Sequence, residues 1–385
     1  FNFSNKLFKF MIQMSKKSNK LGLFCLVLLL LLIIFYLFFT FIHREKEKLN
    51  LPAFSGNYLF ERDVGFIIGG WINYKGKDLM TATILKITNC GKNIENLGKI
   101  KDFKPRAYFP ISKHNDIYYA SGGFEFNPPS NVIGDFWVSN DLKNWKMKAV
   151  DAEWERREAH ATVSHNGKLF LFGGVSYFVP EKYVKPKSKT SHLRNFNDVW
   201  ILNEDKWVLL VENAPWEKRR SFGYGSLGEY IYLWGGISDE TNELFNDVWR
   251  TKDGISWEKI LENAAWSGRM INNYIAVFDD RIWIMGGGGS VESILPLNDL
   301  WSSKDGVNWK LEIEDLPFKG RIGSSVFNFY CNNKDYLFVY GGIEIGENGK
   351  KKFTDDVWRI PLIKNKNNEK ETKKINIEKI SFNKE

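Results

Sequence analysis

The chain has 385 residues, enough for one large domain or two ordinary ones, and its 43% apolar content with 15 Trp and 30 Phe can build a substantial core. The formal charge of +8 sits at the ends: residues 1–48 carry +6 and residues 364–385 carry +3, which leaves −1 for residues 49–363. A nearly neutral body lacks the basic footprint of a DNA- or RNA-binding protein, so no nucleic-acid partner is expected.

In chain order, residues 1–20 form a basic tail with Lys6, Lys9, Lys16, Lys17 and Lys20. Met11 and Met14 are natural starts, with residues 1–13 then upstream of the native chain. Residues 21–42 (LGLFCLVLLLLLIIFYLFFTFI) hold no charge over 22 positions. That is long enough to cross a hydrocarbon core of about 30 Å, which predicts a single transmembrane signal-anchor helix. A cleaved signal peptide would have a shorter apolar run and small residues at its cut site, and "FIHREKEKLN" offers none. Lysines outnumber acids before the span more than after it, which places the N-terminus in the cytoplasm and the body outside it. Residues 43–54 then serve as a linker. Cys25 falls in the span, leaving Cys90 and Cys331 as the only candidate pair in the body; the expectation is two unpaired thiols.

From residue 55 to 383 the sequence repeats. A glycine pair closes an apolar run six times, at Gly69-Gly70, Gly122-Gly123, Gly173-Gly174, Gly235-Gly236, Gly286-Gly287 and Gly341-Gly342, at intervals of 53, 51, 62, 51 and 55 residues. A phrase of the type Asp-Val-Trp follows each pair. It reads Asp135-Phe136-Trp137, Asp198-Val199-Trp200, Asp247-Val248-Trp249, Asp299-Leu300-Trp301 and Asp356-Val357-Trp358, with Asp78-Leu79-Met80 as the weak first copy. An aromatic residue stands three places before an arginine in Phe103/Arg106, Trp154/Arg157, Trp216/Arg219, Trp266/Arg269 and Phe318/Arg321; the first unit has Asn57 in the arginine position.

Each unit translates into four antiparallel strands. An alternating run follows the arginine, and a polar turn leads into the apolar run that ends at Gly-Gly. The Asp-Val-Trp phrase makes a third strand, and a turn such as Asp253-Gly254 leads into a fourth. Six such units of about 50 residues predict an all-β, six-bladed propeller. The repeated tryptophans fill the space between blade faces, since aromatic side chains bury roughly 150–250 Å² each. The glycines turn the backbone where a Cβ would collide, and the aspartate is expected to accept from N–H groups of its own loop. Ile94 and Ile377 stand at the second-Trp positions of the terminal units. Residues 375–382 are predicted to be the outer strand of blade six, so closure needs no strand exchanged between the two ends.

These residues resemble the kelch repeat over positions 55–383, through the double glycine, the Asp-Val-Trp phrase and the spaced second Trp. The resemblance implies the propeller and much less about activity, since propellers host both binding and catalysis. Galactose-oxidizing copper enzymes with kelch repeats add further domains that supply metal ligands, for which this chain has no room. No metal and no cofactor are expected, because His114, His160, His165 and His192 pair with no Cys or His at ligand spacing. His114 and His165 fall in hairpin turns and are expected to be solvated. "GYGSLG" at Gly223, Gly225 and Gly228 matches a dinucleotide-binding pattern, yet a strand follows it where a helix is required.

What remains is one face of the propeller. The arginines, the glycine pairs and the aspartates share it, and in kelch propellers this arginine position lies near the central channel. Two roles stay open for Arg106, Arg157, Arg219, Arg269 and Arg321. They bond backbone carbonyls and a neighbouring blade's Asp, or they form a cationic funnel for carboxylates, with Asn57 as the sixth member. At least two are expected to face solvent at the channel mouth. The longest loop, residues 175–195, adds five cations and three aromatic residues and is expected to act as a binding lid. The first functional reading is a membrane-anchored interaction module for a protein, an acidic small molecule or a glycan. The second is a sugar mutarotase similar to the six-bladed exported sialate mutarotases, and the third a scaffold that uses blade edges.

Overall fold

Each sequence repeat folds into one four-stranded antiparallel sheet, as the turn chemistry requires. A computed structural model describes residues 57–381 except 62, 75–76, 126–130, 179–191, 272–275, 289–295, 347–348 and 363–376, together with 383–384. Blade three is representative: Ala161–His165, Lys168–Phe172, Val199–Asn203 and Lys206–Val211 lie side by side in that order. Blades two, four and five repeat the order, and inner strands of adjacent blades touch around the ring. Asn57–Glu61 of blade one meets Ser325–Cys331 of blade six, which closes the circle. Gly223 and Gly225 of the apparent nucleotide motif lie in Gly223–Leu227, the inner strand of blade four, and the strand Tyr230–Trp234 follows them.

The glycine pairs do what their repetition suggests. All six first glycines have φ between 55° and 66°, and all six second glycines between 90° and 108°. The N–H of the second glycine donates across to the next blade, from Gly70, Gly123, Gly174 and Gly236 to the carbonyls of Arg106, Arg157, Arg219 and Arg269 at 2.9–3.0 Å. A Cβ on Gly174 would sit 2.7 Å from the Glu158 carbonyl oxygen and 2.7 Å from His160 Cβ. Gly174→Ala is therefore expected to lose more stability than the roughly 1–3 kcal/mol of a strained backbone alone. Gly167→Ala, with positive φ and open space around it, should lose only the strain; equal urea midpoints for the two variants would contradict this.

A second device recurs between the third and outer strands. Asp141, Asp253 and Asp305 each accept two N–H bonds from their own turn, and the indole N–H of Trp145, Trp257 and Trp309 donates to a turn carbonyl. Burial alone would raise the Asp305 carboxyl, but the Asn308 N–H and its companions outweigh it and hold the group at about 2.

The ends of the ring depart from expectation in three ways. In blade one Ile68 pairs with Ile84 and the bulge falls between Ile84 and Leu85. Val357 and Tyr340 have the same relation in blade six. The counterpart of Asp-Val-Trp is thus Thr83-Ile84-Leu85, and Asp78-Leu79-Met80 instead lies further along an extended hairpin, where Asp78 pairs with Asn73. With no arginine at the framework position of this blade, no carboxylate is needed there; Thr81 and Thr83 hydroxyls bond each other at 2.6 Å in its place. Ile94 does occupy the second-Trp site, buried opposite Ile87. Ile377 packs on the core beside Glu378–Ile380, the outer strand of blade six. Among the described residues blade six is completed by its own repeat, and Asn383–Lys384 adds to the outer edge of blade one as a short parallel pair.

The third departure is covalent. Cys90 and Cys331 form a disulfide across 241 residues, with Cα atoms 5.5 Å apart. Cys90 lies in the turn between the third and outer strands of blade one, and Cys331 ends the inner strand of blade six. The expectation of free thiols failed because only ring closure brings these positions together. His165 also departs from expectation: it is buried, with Nδ1 2.8 Å from Ser226 Oγ of the next blade. His114 is half-buried against Ser164 in the same way. Among the described residues the only helix is the short turn Asn89–Gly91, and no helix is long and apolar enough to cross a membrane. Residues 21–42 lie outside the described residues.

Candidate functional site

The arginine series comes first, because the sequence placed function there. All five guanidinium groups are buried, with no residue more than 2% exposed. Arg219 is typical. Its Nε donates to the Glu217 carbonyl at 2.9 Å, Nη1 to the Gly235 carbonyl at 3.0 Å, and Nη1 and Nη2 to the two Asp247 oxygens at 2.5 and 2.9 Å. Arg106 with Asp135, Arg157 with Asp198 and Arg269 with Asp299 repeat the fork. Arg321 instead sends one bond to Asp356 and others to Thr354 and Glu344.

The partner is the aspartate of the same blade rather than of a neighbour, and in blades three to six an indole, rather than a loop N–H group, joins the guanidinium as a donor to it. Trp200, Trp249, Trp301 and Trp358 each donate Nε1 to the carboxylate two residues earlier, at 2.7–2.8 Å. Burial favours the neutral Asp356 carboxyl, but Arg321 outweighs it and holds the group below the usual range. Flat aromatic faces complete the cradle, with Arg219 3.9 Å from the Phe245 ring centroid and Arg157 4.0 Å from that of Phe196. The expected solvent-facing arginines at the channel mouth are therefore absent from this series. Asn57 pairs through its backbone with Ile68 at the start of blade one.

The next residue along is where chemistry collects. It is Ala107, Glu158, Arg220, Met270 and Ile322 in blades two to six. Each bridges the residue after its blade's glycine pair: Phe124, Val175, Ile237, Gly288 and Ile343. Successive side chains on extended backbone point opposite ways, so where the framework arginine runs back into its blade, this side chain turns the other way. Behind it runs a chain of backbone bonds from blade to blade, Ala159 N–H to Tyr108 O, Ser221 N–H to Ala159 O and Ile271 N–H to Ser221 O at 2.6–3.2 Å.

Arg220 grips Asp239 with Nε and Nη2 at 2.6 and 2.8 Å, and its Nη1 lies 3.9 Å from the Met270 sulfur of blade five. Asn195, fully buried at the end of the blade-three ribbon, donates to Asp239 Oδ2 at 3.0 Å and accepts the Asp239 N–H at 2.7 Å. Glu158 is 4% exposed. The Arg220–Asp239 pair thus draws on blades three to five through the Asn195 amide, the Ser221 hydroxyl and the Met270 sulfur, and Glu158 holds the place in blade three that Arg220 holds in blade four. Of the loop 175–195, Val175–Phe178 and His192–Asn195 form an antiparallel ribbon; its centre lies outside the described residues. His160 is not part of this cluster. It takes the place between blades that Phe109 and Phe222 hold elsewhere, with Nε2 3.0 Å from Ser121 Oγ. Burial, helped by Arg157, pushes it far below the usual imidazole range and keeps it neutral.

Sequence reasoning missed Glu158 and Arg220. The signal was available in the variation of the residue after each framework arginine. Among the described residues no group of His, Cys, Asp and Glu is arranged to hold a metal ion.

Comparison with known proteins adds the fold. No family model matches the chain, and no curated protein matches it. A solved structure titled "Structure of YjhT" superposes with a TM-score of 0.61 at 18% identity, over 85% of this chain and 98% of that one. Four antiparallel strands in each of six repeats, closed in a ring and braced by glycine pairs, make this chain a six-bladed β-propeller.

Proposed function

We propose that the chain is a binding protein whose site is the loop-bearing mouth of the propeller, and that the ligand is a polyhydroxylated, sugar-like molecule carrying an acidic group. One observation carries this reading: a buried Glu158 and a partly buried Arg220–Asp239 ion pair stand where the same fold accepts Ala107, Met270 and Ile322. A buried ion pair is seldom more stabilising than apolar residues of similar size, so the framework has no need of these charges. Carboxylates, an amide and a hydroxyl suit sugar hydroxyl groups, which donate and accept, and a guanidinium suits a carboxylate.

The second reading, mutarotation of such a sugar, is favoured by Glu158, since a buried carboxyl group is the usual instrument of general acid–base catalysis. Tethering by residues 21–42, with the propeller outside the cytoplasm, belongs to the same proposal. The Cys90–Cys331 disulfide supports an oxidising compartment.

NMR of the chain with N-acetylneuraminic acid tests both readings at once. Saturable shifts of the sugar signals with unchanged anomer exchange support binding alone. Accelerated exchange, abolished by Glu158→Gln, moves the assignment to mutarotation. Neither effect with this or other acidic sugars would overturn the mouth as a sugar site.

A further inference from the structure

The ribbons that rise past the glycine pairs return in the same way in blades two, three and four. Phe124 pairs with Val132, Val175 with Asn195 and Ile237 with Leu244. The next residue, Ile133, Phe196 or Phe245, then donates its N–H to the carbonyl of the second glycine. Blade five makes the same bond through Leu297, which puts Pro296 in the equivalent place. The position is thus valine, leucine and proline in blades two, four and five, and an amide in blade three. Asn195 is nonetheless fully buried. A buried amide costs free energy unless its donors and its acceptor are matched. The ribbon does not require one, since Val132 and Leu244 make the same backbone pairing.

What matches the amide belongs to the next blade. Asn195 Nδ2 donates to Asp239 Oδ2 at 3.0 Å, and its Oδ1 accepts the Asp239 N–H at 2.7 Å. The two bonds fix backbone and side chain of Asp239 together, where the blade-four ribbon begins to turn. Asp239 in turn accepts Arg220 Nε at 2.6 Å and Nη2 at 2.8 Å. Exposure rises along the series, from 0% for Asn195 to 8% for the Asp239 side chain and 21% for that of Arg220. The carboxylate is an intermediary, and the guanidinium is the member that reaches solvent.

We infer that Asn195 is a positioning residue: through Asp239 it aims the Arg220 guanidinium at the ligand's carboxylate, and so makes the blade-three ribbon part of acid recognition. The inference rests on the reading of the mouth as a site for an acidic sugar. A planar guanidinium binds a carboxylate through directional bonds, so its orientation matters as well as its charge. Without the amide, Asp239 and Arg220 keep their charges, but the carboxylate is no longer held from behind and the fork in front of it loses its fixed direction.

Calorimetric titration of the full chain with N-acetylneuraminic acid and with its methyl ester tests it, because the ester keeps the ring and the hydroxyl groups and lacks the charge. The wild type is expected to prefer the acid by about tenfold or more. Asn195→Leu, which installs the residue of blade four, should cut that preference to about threefold or less by weakening the acid and leaving the ester nearly unchanged. Asn195→Asp keeps an acceptor for the Asp239 N–H and removes the donor to Oδ2. It should act in the same direction, so a folding defect in one variant, read from its melting temperature, does not decide the outcome. A merely structural asparagine would weaken acid and ester alike, or neither. Either result, in a wild type that prefers the acid, overturns the inference and leaves the mouth standing as a sugar site. A wild type that binds the two alike does the same, and one that binds neither overturns the mouth reading with it.

Discussion

Replacing Arg219 by alanine is expected to destabilise the propeller by roughly 3–5 kcal/mol, the cost of leaving a buried carboxylate without its partner. The loss has three parts. Asp247 keeps only the Trp249 indole donor, the Gly235 and Glu217 carbonyls lose their bonds, and the space above the Phe245 ring empties. Arg106→Ala, Arg157→Ala and Arg269→Ala should behave alike, because their forks have the same geometry. Arg321→Ala is expected to lose less at its carboxylate, since Lys379 stands 3.7 Å from Asp356 and Thr354 offers no charge to strand. Urea denaturation of the five variants checks this. Unshifted midpoints would return the series to solvent and to ligand binding.

Removing the disulfide should have the next largest effect. Cys90→Ser with Cys331→Ser is expected to lose about 2–4 kcal/mol, because the bridge closes a long loop in the unfolded chain. It also joins the first blade to the last, where the two ends otherwise meet through strand contacts and the short pairing of Asn383–Lys384 with Asn93 and Ile94. Melting with and without reductant reads the effect directly: the wild type should fall to the temperature of the serine variant when reduced. A wild type whose melting is indifferent to reductant would show that the bridge carries no stability.

Much of the fold was legible because its devices are local and repeated. A glycine pair at positive φ must be glycine in every blade, so Gly69-Gly70 through Gly341-Gly342 marked the blades in one dimension. Blade one was misaligned at Asp78 for a physical reason. Its third strand has no arginine to neutralise, so Thr83-Ile84-Leu85 keeps the place of Asp-Val-Trp without either signature residue. The disulfide was invisible because proximity across 241 residues is a property of the closed ring.

The site was legible only as a face. A sequence displays a charge and conceals its partner, and Arg219 and Arg220 are neighbours with the same side chain. One is a brace because Asp247 lies in its own blade; the other turns to Asp239 at the mouth because extended backbone alternates sides. The informative comparison was across blades, where the position after the brace changes from alanine to glutamate to arginine to methionine to isoleucine.

That adjacency provides the most direct test of the account: charge in the brace is structural, and charge one residue later is for a ligand. Arg220→Met with Asp239→Asn removes both partners, so no uncompensated ion is stranded; Arg219→Met with Asp247→Asn does the same one residue earlier. Thermal melts and N-acetylneuraminic acid binding are measured on both. The account predicts that the pair at 219 and 247 loses stability while its folded fraction still binds, and that the pair at 220 and 239 melts like the wild type and no longer binds. A 220/239 variant that binds normally but melts early would contradict it.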